Sequence, residues 1–261
     1  MRLSIAFFLF YFLMASCQKE ENCNMPGALN PGENADCVFA DTVQHALFFK
    51  FTGTWCPPCG SEGAITMREA LNAHPQAIGI EVHYNDEMKS AVGYKFISHF
   101  GIQEFPSFRV NNDEVSSLEE AFERESTIGI YHAHSVSEEV MKVSGSVRAL
   151  VDLSGPEYHI SVYLMEDGYV APQYATDHSA YPEWTFRNQH YPEYIHKRIL
   201  RGEAADHIFG RSLHSGAWLK GEVVKFESEI DIPPGVRGEL YPVVVIWEKE
   251  NRRYRFLNAS N

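Results

Sequence analysis

The sequence contains little positive charge for its length. It has 22 Lys and Arg residues against 35 Asp and Glu residues among 261, and the formal net charge is −13. Proteins that hold nucleic acid through its phosphates present a basic face to it. The composition therefore argues against a nucleic-acid partner. Phosphate-binding loops, serine-hydrolase elbows and HExxH motifs are also absent from the sequence.

Long hydrophobic runs are rare as well. The run at residues 5–14 (IAFFLFYFLM) is ten residues long, about half of what a membrane-spanning helix needs. Arg2 precedes it and the small residues Ala15 and Ser16 follow it, which is the arrangement of a secretory signal peptide. We therefore expect a signal peptide over residues 1–16. A buried N-terminal helix is the alternative.

The residues that follow resemble a bacterial lipobox, MASC at residues 14–17, in which the cysteine is acylated and becomes the mature N-terminus. The next residues, QKEEN, resemble the lysine-plus-acidic signal of surface-exported lipoproteins in a large Gram-negative group. A plain polar tether is the alternative for this short segment. Several acyl chains on one residue give stable anchoring. The resemblance implies a chain held in the outer membrane by lipid on Cys17, facing outward or, alternatively, the periplasm.

Cysteine is used sparingly, at Cys17, Cys23, Cys37, Cys56 and Cys59. With Cys17 acylated, four remain, an even number in an oxidising compartment. Cys23 and Cys37 flank a segment rich in Pro, Gly and Asn within the polar tether over residues 17–40. They are predicted to form a structural disulfide, and the alternative is two free thiols.

The rest of the chain divides into two patterns. Over residues 41–125, apolar runs of strand length alternate with segments of helical spacing, in the order strand, helix, strand, helix, strand, strand, helix. Over residues 126–261, apolar residues recur with a period of two between turns, which is typical of an antiparallel sandwich. Residues 170–217 are predicted to be a long loop rich in Tyr, His and Pro, with a helical piece near residues 194–201.

The WCPPC motif at residues 55–59 carries the most specific chemistry. The spacing puts Cys56 at the start of a helix and Cys59 one turn later. Unpaired N–H groups at a helix start stabilise a thiolate, so Cys56 is predicted to be the nucleophile and Cys59 the thiol that resolves a mixed disulfide. A zinc site, for which no second CxxC is present, and a permanently closed structural disulfide remain as alternatives.

A proline at the entrance to the third predicted strand supports this interpretation. Pro106 precedes the apolar residues of that strand, where proline is unfavourable unless it serves a purpose. A cis bond between Phe105 and Pro106 would supply one, since cis prolines are rare and specific.

These motifs together resemble the thioredoxin fold, and the CPPC form is similar to that of periplasmic TlpA-type reductases. The resemblance implies that Cys56 attacks substrate, that Cys59 resolves, and that Pro106 shapes the substrate groove, with Trp55 and Phe105 beside them. It also implies protein thiols or disulfides as partners. The expected fold is an α/β thioredoxin-like domain over residues 41–125 followed by an all-β antiparallel sandwich domain over residues 126–261.

The whole chain resembles a narrower group, the 28-kDa outer-membrane protein family of lipoproteins. Four stretches carry this resemblance: FTGTWC at residues 51–56, IEVH at residues 80–83, YLMEDGYVAPQ at residues 163–173 and YIHKRILRG at residues 194–202.

Two polar residues near the motif have open roles. Thioredoxins commonly carry a buried acid six residues before the first cysteine, where this chain has Lys50. Lys50 would favour a thiolate by its charge, or would point aside to solvent. His83, expected at the end of the second strand, would assist proton transfer or would be a polar strand-end residue.

Other histidines are weaker candidates for ligands. His132 and His134 lie two apart and would share one face of a strand, but no third metal ligand accompanies them. The aromatic and histidine residues of the long loop would line a ligand groove or pack over the sandwich. They are His178, Tyr181, Trp184, His190, Tyr191, Tyr194 and His196.

The sequence therefore supports two functions from different classes. One is a membrane-anchored thiol–disulfide oxidoreductase that acts on protein cysteines. The other is a surface lipoprotein that binds a partner or serves as a scaffold, with a non-catalytic CxxC. Neither a metal nor a cofactor is expected.

Overall fold

The computed structural model describes residue 23, residues 28–29, residues 37–113 and residues 117–261. Among the described residues, strands make up 47% and helices 13%. The signal peptide, Cys17 and the export signal lie outside the described residues, as does the short edge strand expected at Glu114 and Val115. Within the described ranges, no helix is both long and apolar enough to cross a membrane.

The first part of the chain alternates strands and helices. Its elements are β1 (Ala46–Thr52), α1 (Pro57–Gly60), α2 (Glu62–Ala73), β2 (Ala77–His83), α3 (Ala91–His99), β3 (Ser107–Val110) and α4 (Leu118–Phe122). Side-chain caps fix two of the helix starts. The Oγ atom of Ser90 accepts a hydrogen bond from Gly93 N at the start of α3, and Ser117 does the same for Glu120 N at the start of α4.

The second part is built from strands. They are β4 (Ile128–Val136), β5 (Val140–Ala149), β6 (Glu157–Asp167), β7 (Tyr169–Tyr174), β8 (His190–His196), β9 (Ile199–Glu203), β10 (Arg211–Ser215), β11 (Val223–Asp231), β12 (Glu239–Glu250) and β13 (Arg253–Ser260). The residues predicted to be a long loop thus contain all of β8, β9 and β10 and most of β7. The helical piece expected near residues 194–201 is wrong, because residues 194–196 belong to β8 and residues 199–201 belong to β9.

One large sheet runs through both parts of the chain. Its eight strands lie in the order β13-β12-β6-β9-β2-β1-β3, and β10 pairs with β6 outside that path. β1 and β2 are parallel, β3 is antiparallel to β1, and β9 joins β2 where Glu81 is opposite Ile199. Separate sheets are formed by β11-β5-β4 and by the β7-β8 hairpin.

Both faces of the large sheet are buried. Along β6, Ile160, Val162 and Leu164 pack against the three-stranded sheet, whereas Tyr163 and Met165 belong to a core shared with β1 and α3. Side chains alternate between faces along a strand, so this pattern makes the sheet a middle layer. α3 covers one face, and the three-stranded sheet covers part of the other.

The predicted fold class is wrong. It divided the chain into an α/β thioredoxin-like domain and a separate all-β sandwich domain. Instead, strands predominate, and β9 from the second part continues the sheet that β1 and β2 begin. The three-stranded sheet does pack on β6 and β12, but the sheet it packs on is shared with the first part. Periodicity identified strands in both parts, but it cannot reveal which sheet a strand joins.

Candidate functional site

Cys56 and Cys59 lie where β1 gives way to the first helical turn. They are joined by a disulfide bond. Cys56 is the N-cap of α1, and its Sγ atom accepts a hydrogen bond from Cys59 N at 3.2 Å. Pro57 and Pro58 occupy the first two helical positions, where a missing N–H group costs little. Only 3% of Cys56 and 1% of Cys59 is exposed.

Trp55, Phe105 and Pro106 surround the turn. Trp55 is 43% exposed, and its indole Nε1 donates to the backbone oxygen of Tyr84 at 2.8 Å. The Phe105 ring meets Trp55 edge-on at a centroid distance of 5.7 Å. The Phe105–Pro106 bond is cis. A Cβ atom on Gly63 would come within 3.1 Å of the Pro106 ring, so this proline packs closely against the start of α2.

A buried carboxylate fixes the backbone just before the cysteines. The Oδ2 atom of Asp86 accepts a hydrogen bond from Thr54 N at 2.9 Å and lies 2.8 Å from Nδ1 of His83. Burial alone would raise the pKa of Asp86, but His83 and the backbone donors hold it below its ordinary value. The side chain of His83 is fully buried. His83 is therefore the last residue of β2, as expected, and it is linked to the cysteine turn through Asp86.

A second side chain reaches the turn from β7. The amide Nε2 of Gln173 lies 3.3 Å from the backbone oxygens of Gly53 and Thr54 and 3.2 Å from that of Cys56. It is 2.8 Å from the backbone oxygen of Tyr174. Because all of these neighbours are acceptors, the amide group must point its N–H bonds toward them.

The β7-β8 hairpin also bonds to the turn through its backbone. Tyr174 N donates to Thr54 O at 2.8 Å, and Thr176 N donates to the Oγ atom of Ser61 at 2.8 Å. A Cβ atom on Gly60 would lie 2.2 Å from the Tyr174 oxygen and 2.9 Å from Cγ of Gln173. The close approach of the hairpin to α1 therefore requires glycine at position 60.

Lys50 lies in a buried group of charges. Its Nζ atom is 3.3 Å from Oε2 of Glu81, and Arg198 reaches Oε1 of Glu81 at 3.1 Å. Lys50 lies two residues from Phe48, which packs with Met67 of α2, so the pair is on the sheet face that α2 covers. Lys50 is 2% exposed, which excludes the possibility that it points aside to solvent.

The neighbours of Glu81 shift its ionisation and that of a nearby histidine. Burial would raise the pKa of Glu81, but Lys50 and Arg198 bring it to about 2, so the carboxylate is charged. Burial lowers the pKa of His196 to about 3, and His83 and Lys50 act in the same direction. The rings of His83 and His196 are 5.4 Å apart, and neither Nε2 atom finds a hydrogen-bond partner among the described residues.

The four stretches that carry the resemblance meet here. FTGTWC supplies the turn, IEVH supplies Glu81 and His83, YLMEDGYVAPQ ends at Gln173, and YIHKRILRG supplies His196 and Arg198. The sequence alone assigned no role to Glu81, Gln173 or Arg198, and it placed His196 only among the residues that would line a ligand groove or pack over the sandwich. A charged residue inside an apolar strand run, as at Lys50 and Glu81, was the signal that could have indicated a buried pair.

The remaining predicted residues lie elsewhere. Cys23 and Cys37 form a disulfide, the pairing that the sequence suggested. His132 and His134 share β4, and burial together with the charge of His134 lowers the pKa of His132. Across the described part of the chain, no three His, Cys, Asp or Glu side chains are arranged to hold a metal ion.

The aromatic side chains between residues 181 and 194 pack on one another. Tyr181 stacks on Trp184 at 4.3 Å, and Tyr191 and Tyr194 complete a small core of their own. Arg68 of α2 lies over the Tyr181 ring. These side chains pack into a small aromatic core and do not line an open groove.

The sequence matches no protein-family model and no curated protein. Two solved structures from Porphyromonas gingivalis are similar to this chain. HBP35 aligns with a TM-score of 0.58 and 15% identity, covering 85% of this chain and 75% of that chain. A domain of the outer membrane lipoprotein Omp28 aligns with a TM-score of 0.31 and 14% identity, covering 52% of this chain and 85% of that domain. At this identity the likeness to HBP35 concerns the fold alone.

Proposed function

We propose that this chain is a lipid-anchored protein of the outer membrane whose Cys56–Cys59 pair exchanges disulfide bonds with protein thiols. The outer-membrane location is supported by the lipobox that ends at Cys17 and by the export signal behind it. Membership of the 28-kDa outer-membrane protein family belongs to the same proposal, and it is supported by the four stretches that meet at the cysteine turn.

The observation that supports exchange is the position of the pair at the start of a helix. The Cys59 N–H group points at the Cys56 sulfur, and a hydrogen bond to a sulfur stabilises it more as a thiolate than as a thiol. Trp55, directly before Cys56, is exposed, so a partner chain can reach this edge of the molecule.

Exchange would proceed in two steps. A thiolate of the partner attacks Sγ of Cys56, the Cys56–Cys59 bond breaks, and Cys59 leaves as a thiolate that takes up a proton. A second partner thiolate then attacks the partner sulfur of the mixed disulfide and releases Cys56. The partner loses two electrons and two protons and gains a disulfide, while the cysteine pair becomes a dithiol. The same steps in reverse reduce a disulfide of the partner.

The first prediction concerns this exchange. In glutathione buffers of varied redox ratio, we expect Cys56 and Cys59 to open and close reversibly in the folded protein. Cys56→Ser should lower the rate of insulin disulfide reduction to the uncatalysed background, because the attacking sulfur is gone. Alkylation followed by peptide mass spectrometry measures the first result, and insulin turbidity measures the second.

A double variant, Cys23→Ser with Cys37→Ser, is the matched control and should keep the rate of the natural chain. A Cys56–Cys59 bond that resists glutathione until urea unfolds the protein would contradict exchange.

That contrary result would favour a second candidate, a surface lipoprotein that binds a partner or serves as a scaffold. The specific observation behind it is the coverage of the pair. Both cysteines are buried, and β7 lies against α1 with hydrogen bonds to the turn. In this case the disulfide would serve to hold the turn and the hairpin together.

A further inference from the structure

The buried amide nitrogen of Gln173 is surrounded by four backbone oxygens. Gln173 is 3% exposed, and its Nε2 atom faces the backbone oxygens of Gly53, Thr54 and Cys56 together with that of Tyr174. Three of these four oxygens belong to the segment that ends at Cys56. Their partial negative charges converge on one buried point, and the two N–H bonds of the amide offset them.

The electrostatic consequence reaches the cysteine. Each of the oxygens of Gly53, Thr54 and Cys56 already accepts one backbone N–H group, from Cys56, Tyr174 and Cys59 respectively. Without the amide each of these buried oxygens would lose its second donor, next to a cysteine whose sulfur becomes negative on reduction. Partial charges of the same sign disfavour a thiolate, and a low local dielectric strengthens the effect. The donor therefore favours the ionised form of Cys56.

We infer that Gln173 is a positioning residue for the cysteine pair: its amide holds the backbone oxygens of the turn and favours the thiolate of Cys56. The functional importance of this role rests on the proposed disulfide exchange. It gives the end of the YLMEDGYVAPQ stretch a chemical role, because β7 carries this amide into the turn.

Gly60 provides an independent way to disturb the same contact. A Cβ atom there would collide with the Tyr174 oxygen and with Cγ of Gln173. Gly60→Ala should therefore move the hairpin away from α1 while the amide itself is kept.

The second prediction follows from a graded series at position 173. Gln173→Met keeps the length of the side chain and removes the donors, and Gln173→Glu adds negative charge. In the full chain reduced with dithiothreitol, the pH midpoint for iodoacetamide alkylation of Cys56 should rise by roughly half a unit to one unit for Gln173→Met. The midpoint should rise further for Gln173→Glu. Mass spectrometry of the Cys56 peptide measures the rate at each pH.

Controls separate this role from a purely structural one. Val170→Thr, on the exposed side of β7, should leave the midpoint unchanged, and Gly60→Ala should raise it. If Gln173→Met and Gln173→Glu lower stability but leave the midpoint where it is in the natural chain, the inference is wrong. Gly60→Ala serves as the deciding variant if both fail to fold.

The outcome is also distinguishable from failure of the proposed exchange. Dithiothreitol opens the pair whether or not glutathione does. A raised midpoint with a pair that ignores glutathione would therefore keep the role of Gln173 and remove the exchange function. An unchanged midpoint with normal glutathione exchange would remove the role of Gln173 and keep the exchange function.

Discussion

At the scale of single residues, the protein places ionisable groups in its interior beside the cysteine turn. Lys50, Glu81 and Arg198 are in contact, and His83 and His196 lie next to them. Removing one member of a buried ion pair leaves a charge without compensation, which destabilises a protein more than an exposed pair contributes. The group therefore restricts which substitutions this region tolerates.

The third prediction concerns pH. His196 has an ordinary pKa of 6.5 when unfolded and about 3 when folded, so the unfolded chain binds the proton more readily between these values. The stability that neutral His196 contributes is complete above about pH 6.5 and is lost as the pH falls toward 3. At about pH 5 this loss is roughly 2 kcal/mol.

We expect His196→Gln to remove about 2 kcal/mol of the decrease in unfolding free energy between about pH 7.5 and pH 5. Urea unfolding at each pH measures it. The pKa of Glu81 is about 2 in the folded protein and 4.5 when unfolded. The stability that its carboxylate contributes is therefore complete above about pH 4.5 and is lost only as the pH falls from there toward 2. His134→Gln, at an exposed position, is the control; equal slopes for all three proteins would contradict the assignment.

At the scale of elements, the segment that joins β7 to β8 ends in a two-residue turn at the start of β8. Arg187 and His190 exchange backbone hydrogen bonds, and Asn188 and Gln189 between them have φ values of 50° and 58°. Both values lie in the left-handed region, the arrangement of a type I′ turn. Asparagine tolerates this region, whereas glutamine adopts it at a cost.

The fourth prediction is therefore a stabilising substitution. Gln189→Gly should raise the unfolding free energy by about 1 kcal/mol, because glycine adopts positive φ without a steric penalty. The midpoint of urea unfolding measures the change. Glu193→Gly, within β8 on the same hairpin, should lower stability instead. Similar effects from both substitutions would show that the turn conformation does not decide the result.

At the scale of the whole molecule, the two parts of the chain share one core. Phe49 and Phe51 of β1 belong to the same cluster as Tyr163, Val245 and Trp247 from the second part. The ring of Phe96 meets that of Tyr163 at 5.6 Å, and Lys95 bonds to Glu203. Residues 41–125 on their own would expose this apolar face to water.

The fifth prediction is that the protein unfolds in one transition. With its disulfides intact, peptides from β1 and from β12 should lose hydrogen-exchange protection at the same urea concentration, because both strands contribute side chains to the same apolar cluster. A fragment of residues 41–125 should be unfolded or aggregated. Two separate transitions, or a soluble folded fragment, would contradict the shared core.

Much of the local structure could be predicted from the sequence. The strand at β1, the helix start at the cysteines and the strands of the second part follow from apolar spacing and caps, which depend on neighbours in the chain. The predicted loop over residues 170–217 failed because its strands are short and because β7 and β8 carry proline at positions 172 and 192. Such segments form strands only when tertiary contacts pair them.

The sequence by itself determined the pair Cys56 and Cys59, their position between a strand and a helix, and the lipobox that predicts the location of the chain, because these depend on residue types at short fixed spacings. Only the tertiary structure decided that β9 joins β2, that Glu81 meets Lys50 and Arg198, and that Gln173 reaches the cysteine turn. These contacts link residues that are far apart in the chain, and their geometry follows from how the sheets pack and not from the residues on either side.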